Sequence, residues 1–255
     1  VNVTQVDQLW RHPVKSMQGE RLLEAVLNDR GQQHDREYGV IDRRSGRVLS
    51  GKTMPQLMFG RARLDGGTVV VAVPGGADFD AADPAGAATL SAWLDRDVFL
   101  EHAERSTPRD FQVQESVMDS EPPPTAPVRD VRCPPGTFLD SAPVQLVDAG
   151  WLRGDDVRRF RPTALLRSAI GDTAPDAAPL VEDGWVGRTV QIGSATLRVA
   201  KVTKRCAMVQ RPQPGLAKDV DLARTLIHEY ANVVGVYATV LTAGRITLGD
   251  IVHSH

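Results

Sequence analysis

The sequence is poor in cysteine, in aromatic residues and in net charge, and each shortage excludes a class of function. Its 255 residues include two cysteines, Cys133 and Cys206. Two thiols cannot build a disulfide framework, a four-thiolate zinc site or the ligand set of an iron–sulfur cluster. That usage fits a reducing, cytoplasmic setting. Thirty Lys and Arg against 32 Asp and Glu leave a formal net charge of −2, without the positive field that draws a polyanion, so no nucleic-acid partner is expected. Asp7, Arg11, Lys15, Glu20 and Glu24 interrupt the first stretch of chain. Nowhere does the sequence hold the roughly 18 consecutive apolar residues of a bilayer span, so no export signal and no membrane partner are expected. One-line catalytic motifs are missing as well. There is no glycine loop ending in Lys-Ser/Thr and no dinucleotide fingerprint, and His228-Glu229 lacks the second histidine of a zinc protease.

What is present describes a globular, β-rich chain. Hydrophobic residues make up 42% and charged residues 24%, enough apolar surface to offset the ordering entropy of a core. Aromatics at 5%, with 22 glycines and 17 prolines, imply many turns between short elements. Residues 61–64, the turn Asp65-Gly66-Gly67 and residues 68–73 read as a hairpin, and residues 38–42 read as a strand before Ser45-Gly46. Leu90, Trp93 and Leu94 share one helical stripe and predict a helix over 88–95. Prolines 122, 123, 124, 127, 134 and 135 bar residues 121–135 from a helix or a central strand, which divides the chain into lobes 1–120 and 121–255. In the second lobe, residues 143–147, 189–192, 196–202, 236–241 and 246–248 read as strands. Leu216, Val220, Ala223, Ile227 and Tyr230 predict a helix over 216–230. The fold class expected is mainly β (α+β).

One cysteine stands out. Cys206 follows Lys204 and Arg205 at the predicted end of a strand, where positive charge favours a thiolate, both a nucleophile and a soft-metal ligand. The alternative is a small core residue, since free cysteine is among the most buried types. Cys133 has no such company and reads as structural. His253 and His255 read as a solvated tail.

Several short motifs resemble one family in order and spacing. Pro13-Val14-Lys15-Ser16, Gly31, Asp35-Arg36-Glu37-Tyr38 and Val40-Ile41-Asp42 resemble the N-terminal β-barrel that accompanies MOSC domains, the molybdenum cofactor sulfurase C-terminal domains. The second lobe resembles the MOSC domain itself. It carries residues 135–143, Arg159-Phe160-Arg161-Pro162, Glu182-Asp183-Gly184-Trp185, Arg205-Cys206 and the closing residues 244–250. The resemblance implies a small β-barrel lobe followed by a MOSC-type barrel with a few helices.

It also implies that Cys206 is the catalytic residue and the protein ligand of molybdenum carried by a pterin dithiolene. The amidoxime-reducing component and the bacterial hydroxylaminopurine-resistance proteins work in this manner, and soft sulfur suits such a metal. Lys15, Ser16, Arg36 and Arg161 match the family's cofactor-binding positions, with Ser141, Thr163, Lys204, Arg205 and Tyr237 carried over beside them. Thr163 stands where amidoxime reducers have Asn, and residues 207–212 replace the Thr-rich segment that normally follows the cysteine. Val14 and Val40 are expected in the core, and Glu182, Asp183 and Trp185 in a structural turn.

The activity implied is reduction of an N-hydroxylated or N-oxide small molecule. The alternatives are sulfur transfer through a persulfide on Cys206, or carriage of the cofactor without turnover. MOSC domains are also fused to cysteine desulfurase-like modules, which links the family to pyridoxal phosphate. With two cysteines and no dinucleotide fingerprint in these residues, electrons are expected from a separate ferredoxin or b-type cytochrome with its reductase.

Overall fold

A computed structural model describes residues 3–104, 106–114, 127–152, 154–168 and 184–255. Its elements are short and mostly strands. The first lobe holds β1 (Thr4–Arg11), β2 (Glu20–Leu22), β3 (Glu24–Asn28), β4 (Gly31–Gln32), β5 (Tyr38–Asp42), β6 (Arg61–Asp65), β7 (Thr68–Ala72), β8 (Phe79–Asp80), α1 (Gly86–Leu94) and β9 (Val98–His102). A ribbon of β10 (Asp110–Gln114) and β11 (Val128–Arg132) follows. The rest comprises β12 (Val144–Asp148), β13 (Ala164–Ser168), β14 (Thr189–Ile192), β15 (Ala195–Lys204), α2 (Val220–Tyr230), β16 (Val233–Thr242), β17 (Gly244–Thr247) and β18 (Val252–Ser254). The fold is mainly β, as the turn-rich composition predicts. Among the described residues no helix is long and apolar enough to cross a membrane.

The largest sheet runs β18-β14-β15-β16-β12-β13-β1-β2. It is antiparallel except at β12 and β13, which are parallel and therefore need a crossover. That crossover carries residues 149–163, including the 3-10 turns Ala149–Trp151 and Val157–Arg159. The sheet curls, because Gln5 of β1 bridges Ile251 beside β18 and the Val6 N–H donates to the Asp250 carbonyl. Alternation along the strands fills the inside of the curl. Val6, Leu9, Ala25 and Leu27 pack with Val144, Leu146, Leu166, Val190, Leu197 and Val236. Chain order and spatial order therefore differ, since β1 lies beside β13 and β3 pairs with β17. A second core, around Val14, Val40, Leu57, Val71, Leu90 and Leu94, fills the first lobe.

Both helices depart from the predicted bounds for local reasons. α2 starts at Val220, because Asp219 has a non-helical φ of −131° and its side chain accepts from the Leu222 N–H, a side-chain N-cap. Gln213 and Leu216 pair with one another across a turn instead of opening the helix. α1 starts earlier than its stripe, at Gly86, against which the Phe79 ring lies. Within the proline-rich segment, residues 121–126 lie outside the described residues, and β11 forms part of a two-stranded ribbon that needs no central-strand donors. Val14 and Val40 are buried, as expected. Trp185 joins the large core, while Glu182 and Asp183 lie outside the described residues. His253 belongs to edge strand β18 rather than to a tail; both terminal histidines are exposed.

Candidate functional site

Ten residues expected at the site line one cleft: Lys15, Ser16, Arg36, Ser141, Arg161, Thr163, Lys204, Arg205, Cys206 and Tyr237. With its solvent-filled mouth the cleft measures about 810 Å³. The turn after β1 supplies Lys15 and Ser16, the loop between β4 and β5 supplies Arg36, and the loop before β12 supplies Ser141. Arg161 and Thr163 precede β13, Lys204 ends β15, and Arg205 and Cys206 follow it into the 3-10 turn Ala207–Gln210. Tyr237 stands on β16 opposite Gln145 of β12. Both lobes thus contribute walls.

The backbone is strained where these side chains are aimed. Seven non-glycine residues have positive φ among the described residues, and three of them are Ser16 (68°), Arg36 (50°) and Arg161 (53°). Such conformations cost on the order of 1–3 kcal/mol each and persist where surrounding structure over-determines them. Here hydrogen bonds do so. The Gly51 N–H donates to Ser16 Oγ at 2.8 Å. The Arg36 N–H donates to the His12 carbonyl, and the Arg36 carbonyl accepts from Phe138. Arg36 Nη2 donates to the Arg161 carbonyl at 3.1 Å, while Arg161 Nη2 donates to the Met17 carbonyl at 2.7 Å. Each guanidinium therefore fixes backbone from another element. Gly31 (φ 108°) closes the approach of the lobes, since a Cβ there would lie 2.6 Å from the Pro143 carbonyl oxygen.

Arg205 is held similarly. Its Nη1 donates to the Phe160 carbonyl at 3.0 Å and its Nη2 to the Val234 carbonyl at 2.6 Å, with the guanidinium 5.3 Å from the Phe160 ring centroid. Asn232, itself at φ 62°, exchanges hydrogen bonds with the Arg205 backbone and so sets where Cys206 begins. Thr163 Oγ1 accepts from the Gln145 N–H at 3.1 Å, which locks the hydroxyl to the start of β12.

Sequence reasoning missed a second tier of residues. Lys15 Nζ donates to the Phe138 carbonyl at 2.7 Å and pairs with Asp140, and Lys52 Nζ pairs with the same carboxylate at 2.9 Å. Both ammonium groups lie over the Phe111 ring, 4.3 and 5.5 Å from its centroid. Asp140 sat in plain view inside the 135–143 motif, whereas Lys52 meets it across 88 residues of chain, which no spacing rule reports. Gln145, Phe138, Phe160 and Met208 also line the cleft. Gly51 leaves room for Met208, whose Sδ would lie 2.7 Å from a Cβ there.

The electrostatics favour an anion. Loss of hydration tends to raise the Asp140 carboxyl, but the charges of Lys15 and Lys52 outweigh it and hold the group well below the usual carboxylate range. That carboxylate is thereby spent on two lysines. Burial, reinforced by the Arg36 charge, pushes the Arg161 guanidinium down to about 9, and burial pushes Arg205 down to about 10. Both stay cationic at neutral pH; among the described residues their hydrogen bonds go to neutral carbonyls, and the Asp35 and Asp140 charges offset the burial of Arg161 only in part. Among the described residues Arg205 Nε is buried with no hydrogen-bond partner. Behind them His12 is buried, and burial plus the Arg161 and Arg36 charges hold its pKa well below 6.5, so it is neutral. Burial raises the Tyr237 phenol, the nearby Arg205 charge only partly opposing it, and the hydroxyl stays protonated.

The donor set fits a phosphorylated, thiolate-ligated cofactor. Cationic and hydroxyl groups hold phosphate oxygens through charge-assisted hydrogen bonds, and a cysteine sulfur is a soft metal ligand. Among the described residues no group of three or more His, Cys, Asp or Glu side chains could hold a metal ion.

No curated protein matches the chain. Among solved structures, the YuaD protein from Bacillus subtilis is 11% identical, with 100% of this chain and 96% of that one covered and a TM-score of 0.46. YiiM from Geobacillus stearothermophilus is 17% identical, with 45% and 54% covered and a TM-score of 0.33. Family models match at residues 3–96, described as the MOSC N-terminal beta barrel domain, and at residues 155–253, described as the MOSC domain. The chain belongs to the MOSC family, with the N-terminal barrel domain ahead of the MOSC domain.

Proposed function

We propose that the cleft binds the molybdenum cofactor through Cys206 and reduces small N-hydroxylated or N-oxide compounds. One observation carries this reading: a partly exposed cysteine shares a cleft with Arg36, Arg161 and Arg205, and among the described residues neither Arg161 nor Arg205 forms an ion pair with a carboxylate. Arg36, Arg161 and Ser16 would hold the phosphate, with Lys15 and Ser141 beside them. Their strained, hydrogen-bonded backbones keep the donors aimed before a ligand arrives. When bound, the cofactor supplies a redox-active metal at which an N-hydroxy group and two electrons and two protons give the amine and water. Tyr237 supplies a protonated hydroxyl at the cleft wall, a donor for the oxygen that leaves. Met208 and Thr163, which depart from the amidoxime-reducer pattern, shape the space in which substrate is chosen.

Elemental analysis and pterin extraction from protein made in a molybdopterin-producing host test the binding half. About one molybdenum per chain supports it, whereas metal-free protein releasing cyanolysable sulfur moves the assignment to persulfide transfer. Turnover tests the other half. Benzamidoxime should be reduced when a ferredoxin or b-type cytochrome with its reductase, or a chemical one-electron donor, is supplied. NADH alone should not suffice. A loaded protein inactive with every donor on amidoximes, hydroxylamines and N-oxides would leave cofactor carriage as the function.

A further inference from the structure

We propose that the mouth of the cleft selects substrates carrying an oxyanion, a carboxylate or phosphate, and that Lys201 is the residue that reads it. The proposal rests on the substrate-reducing reading above and narrows its substrate class. It starts from an irregularity in the longest strand pair. Between β15 and β16 the register runs from Val199 opposite Ala238 to Lys201 opposite Tyr237, so two β15 residues answer one step of β16. Such a bulge breaks the in-and-out alternation of a strand and re-aims the side chain that follows. Val199 faces the core, and unbroken alternation would bury Lys201 on the same side; instead Ala200 and Lys201 are both exposed.

The bulge sets Lys201 opposite Tyr237, just outside the residues that line the cleft. Its Nζ lies 5.8 Å from the centroid of the Tyr237 ring, and Tyr237 lines the cleft. Contact with an aromatic face narrows where a long, flexible side chain goes. Three residues on, Lys204 is exposed and lines the same cleft.

Charge accounting separates these two lysines from the inner cations. Lys15 and Lys52 share Asp140, and Arg36 has Asp35. Arg161 and Arg205 donate to backbone carbonyls. Lys201 and Lys204 have neither a carboxylate nor a carbonyl partner among the described residues. A solvated lysine alone would mean little. A bulge, an aromatic rest and two unmatched cations, Lys204 in the cleft lining and Lys201 beside Tyr237, form a cationic rim that an oxyanion on the outer end of a substrate would meet, while Asp140 in the same cleft is held by Lys15 and Lys52.

Calorimetric binding of benzamidoxime and 4-carboxybenzamidoxime to the cofactor-loaded protein tests the proposal without relying on turnover. The ratio of the two dissociation constants should favour the carboxylate by about three- to tenfold at low salt, the scale of one or two exposed ion pairs, and should shrink towards unity at high ionic strength. Lys201→Gln should lose most of that advantage, Lys201→Glu should turn it into a disadvantage, and Lys201→Arg should keep it. Equal affinity for the two compounds, no binding of either, or an advantage unchanged in Lys201→Gln would overturn the assignment. Turnover of the neutral benzamidoxime, measured separately, decides the reductase reading and leaves this outcome standing on its own.

Discussion

Cys133 and Cys206 place one side-chain type in two adjoining regions with opposite chemistry. Cys133 is 1% exposed among Ile41, Val48, Phe111 and Phe138, and burial pushes its thiol up to about 11 despite the nearby Lys15 charge. At neutral pH it is protonated and shielded, hence inert. Cys206 is partly exposed in a cleft walled by arginines. The two regions share a wall, since Phe138 both lines the cleft and packs against the Cys133 cluster, and Phe111 offers its ring to Lys15 and Lys52. The apolar side serves as the floor on which the charged side is arranged. Whether a thiol is shielded or open to the cleft is set here by which side of that floor it occupies.

The sharpest way to break this comparison is to exchange each sulfur for oxygen. Cys206→Ser should abolish molybdenum-dependent reduction, because an alcohol is a far weaker ligand for a soft metal than a thiolate. Cys133→Ser should leave activity near normal and show its effect in stability. Equal loss of activity in both variants would remove Cys206 from the centre of the site. A thiol reagent at neutral pH should label one sulfur per native chain, and mass mapping should find it on Cys206.

The next effect tests whether the cations around Cys206 serve a ligand. Arg36→Ala and Arg161→Ala should each lower cofactor retention about ten- to a hundredfold, since losing a charged hydrogen-bond partner typically costs ~1.5–3 kcal/mol. Retention by dialysis, measured as pterin per chain, reads this directly. Wild-type stoichiometry in both variants would make these arginines inter-lobe braces alone, through the Met17 and Arg161 carbonyls they hold.

Much of the site could be read in the chain because its residues sit in short, contiguous turns. Pro13 to Ser16, Asp35 to Tyr38 and Arg205-Cys206 are local words whose meaning does not depend on distant partners. What could not be read was the support. Lys52 and Asp140, or Arg36 and the Arg161 carbonyl, meet across 88 and 125 residues. His12 lies one residue before a legible motif, yet its burial beneath Arg36 and Arg161 is a tertiary fact. The strands were legible through alternation, whereas the placing of β1 beside β13 and of β3 beside β17 depends on sheet closure. The start of α2 slipped because apolar spacing continued through Leu216, and Asp219 capped the helix later.

His12 gives a pH-dependent test of how tightly the charged side is held. Its native pKa lies below the ordinary 6.5 through burial and then the Arg161 and Arg36 charges, so below pH 6.5 the unfolded chain binds a proton that the native protein refuses. Its contribution to stability is complete above that pH and is lost as pH falls towards the native pKa, by about 1.4 kcal/mol per pH unit. Denaturant unfolding between pH 7 and 5 should show this slope. His12→Gln should flatten it, and an unchanged slope would show that other groups govern the acid limb.

The smallest effect is expected at the shared floor. Phe111 is 1% exposed, fills the Cys133 cluster and presents its face to two ammonium groups. Phe111→Leu keeps an apolar side chain but leaves a small void, so its packing cost is a transfer and a cavity contribution, read in unfolding free energy. It removes the aromatic face, worth about 0.5–1 kcal/mol for a cation at such a position. Because Asp140 still holds both lysines, the ammonium groups should stay near their places and cofactor retention should fall by about two- to threefold, far less than in the arginine variants. The cost should appear in unfolding free energy. If retention instead falls as far as in Arg161→Ala, the apolar side does more than support Lys15, and the two regions act as one site.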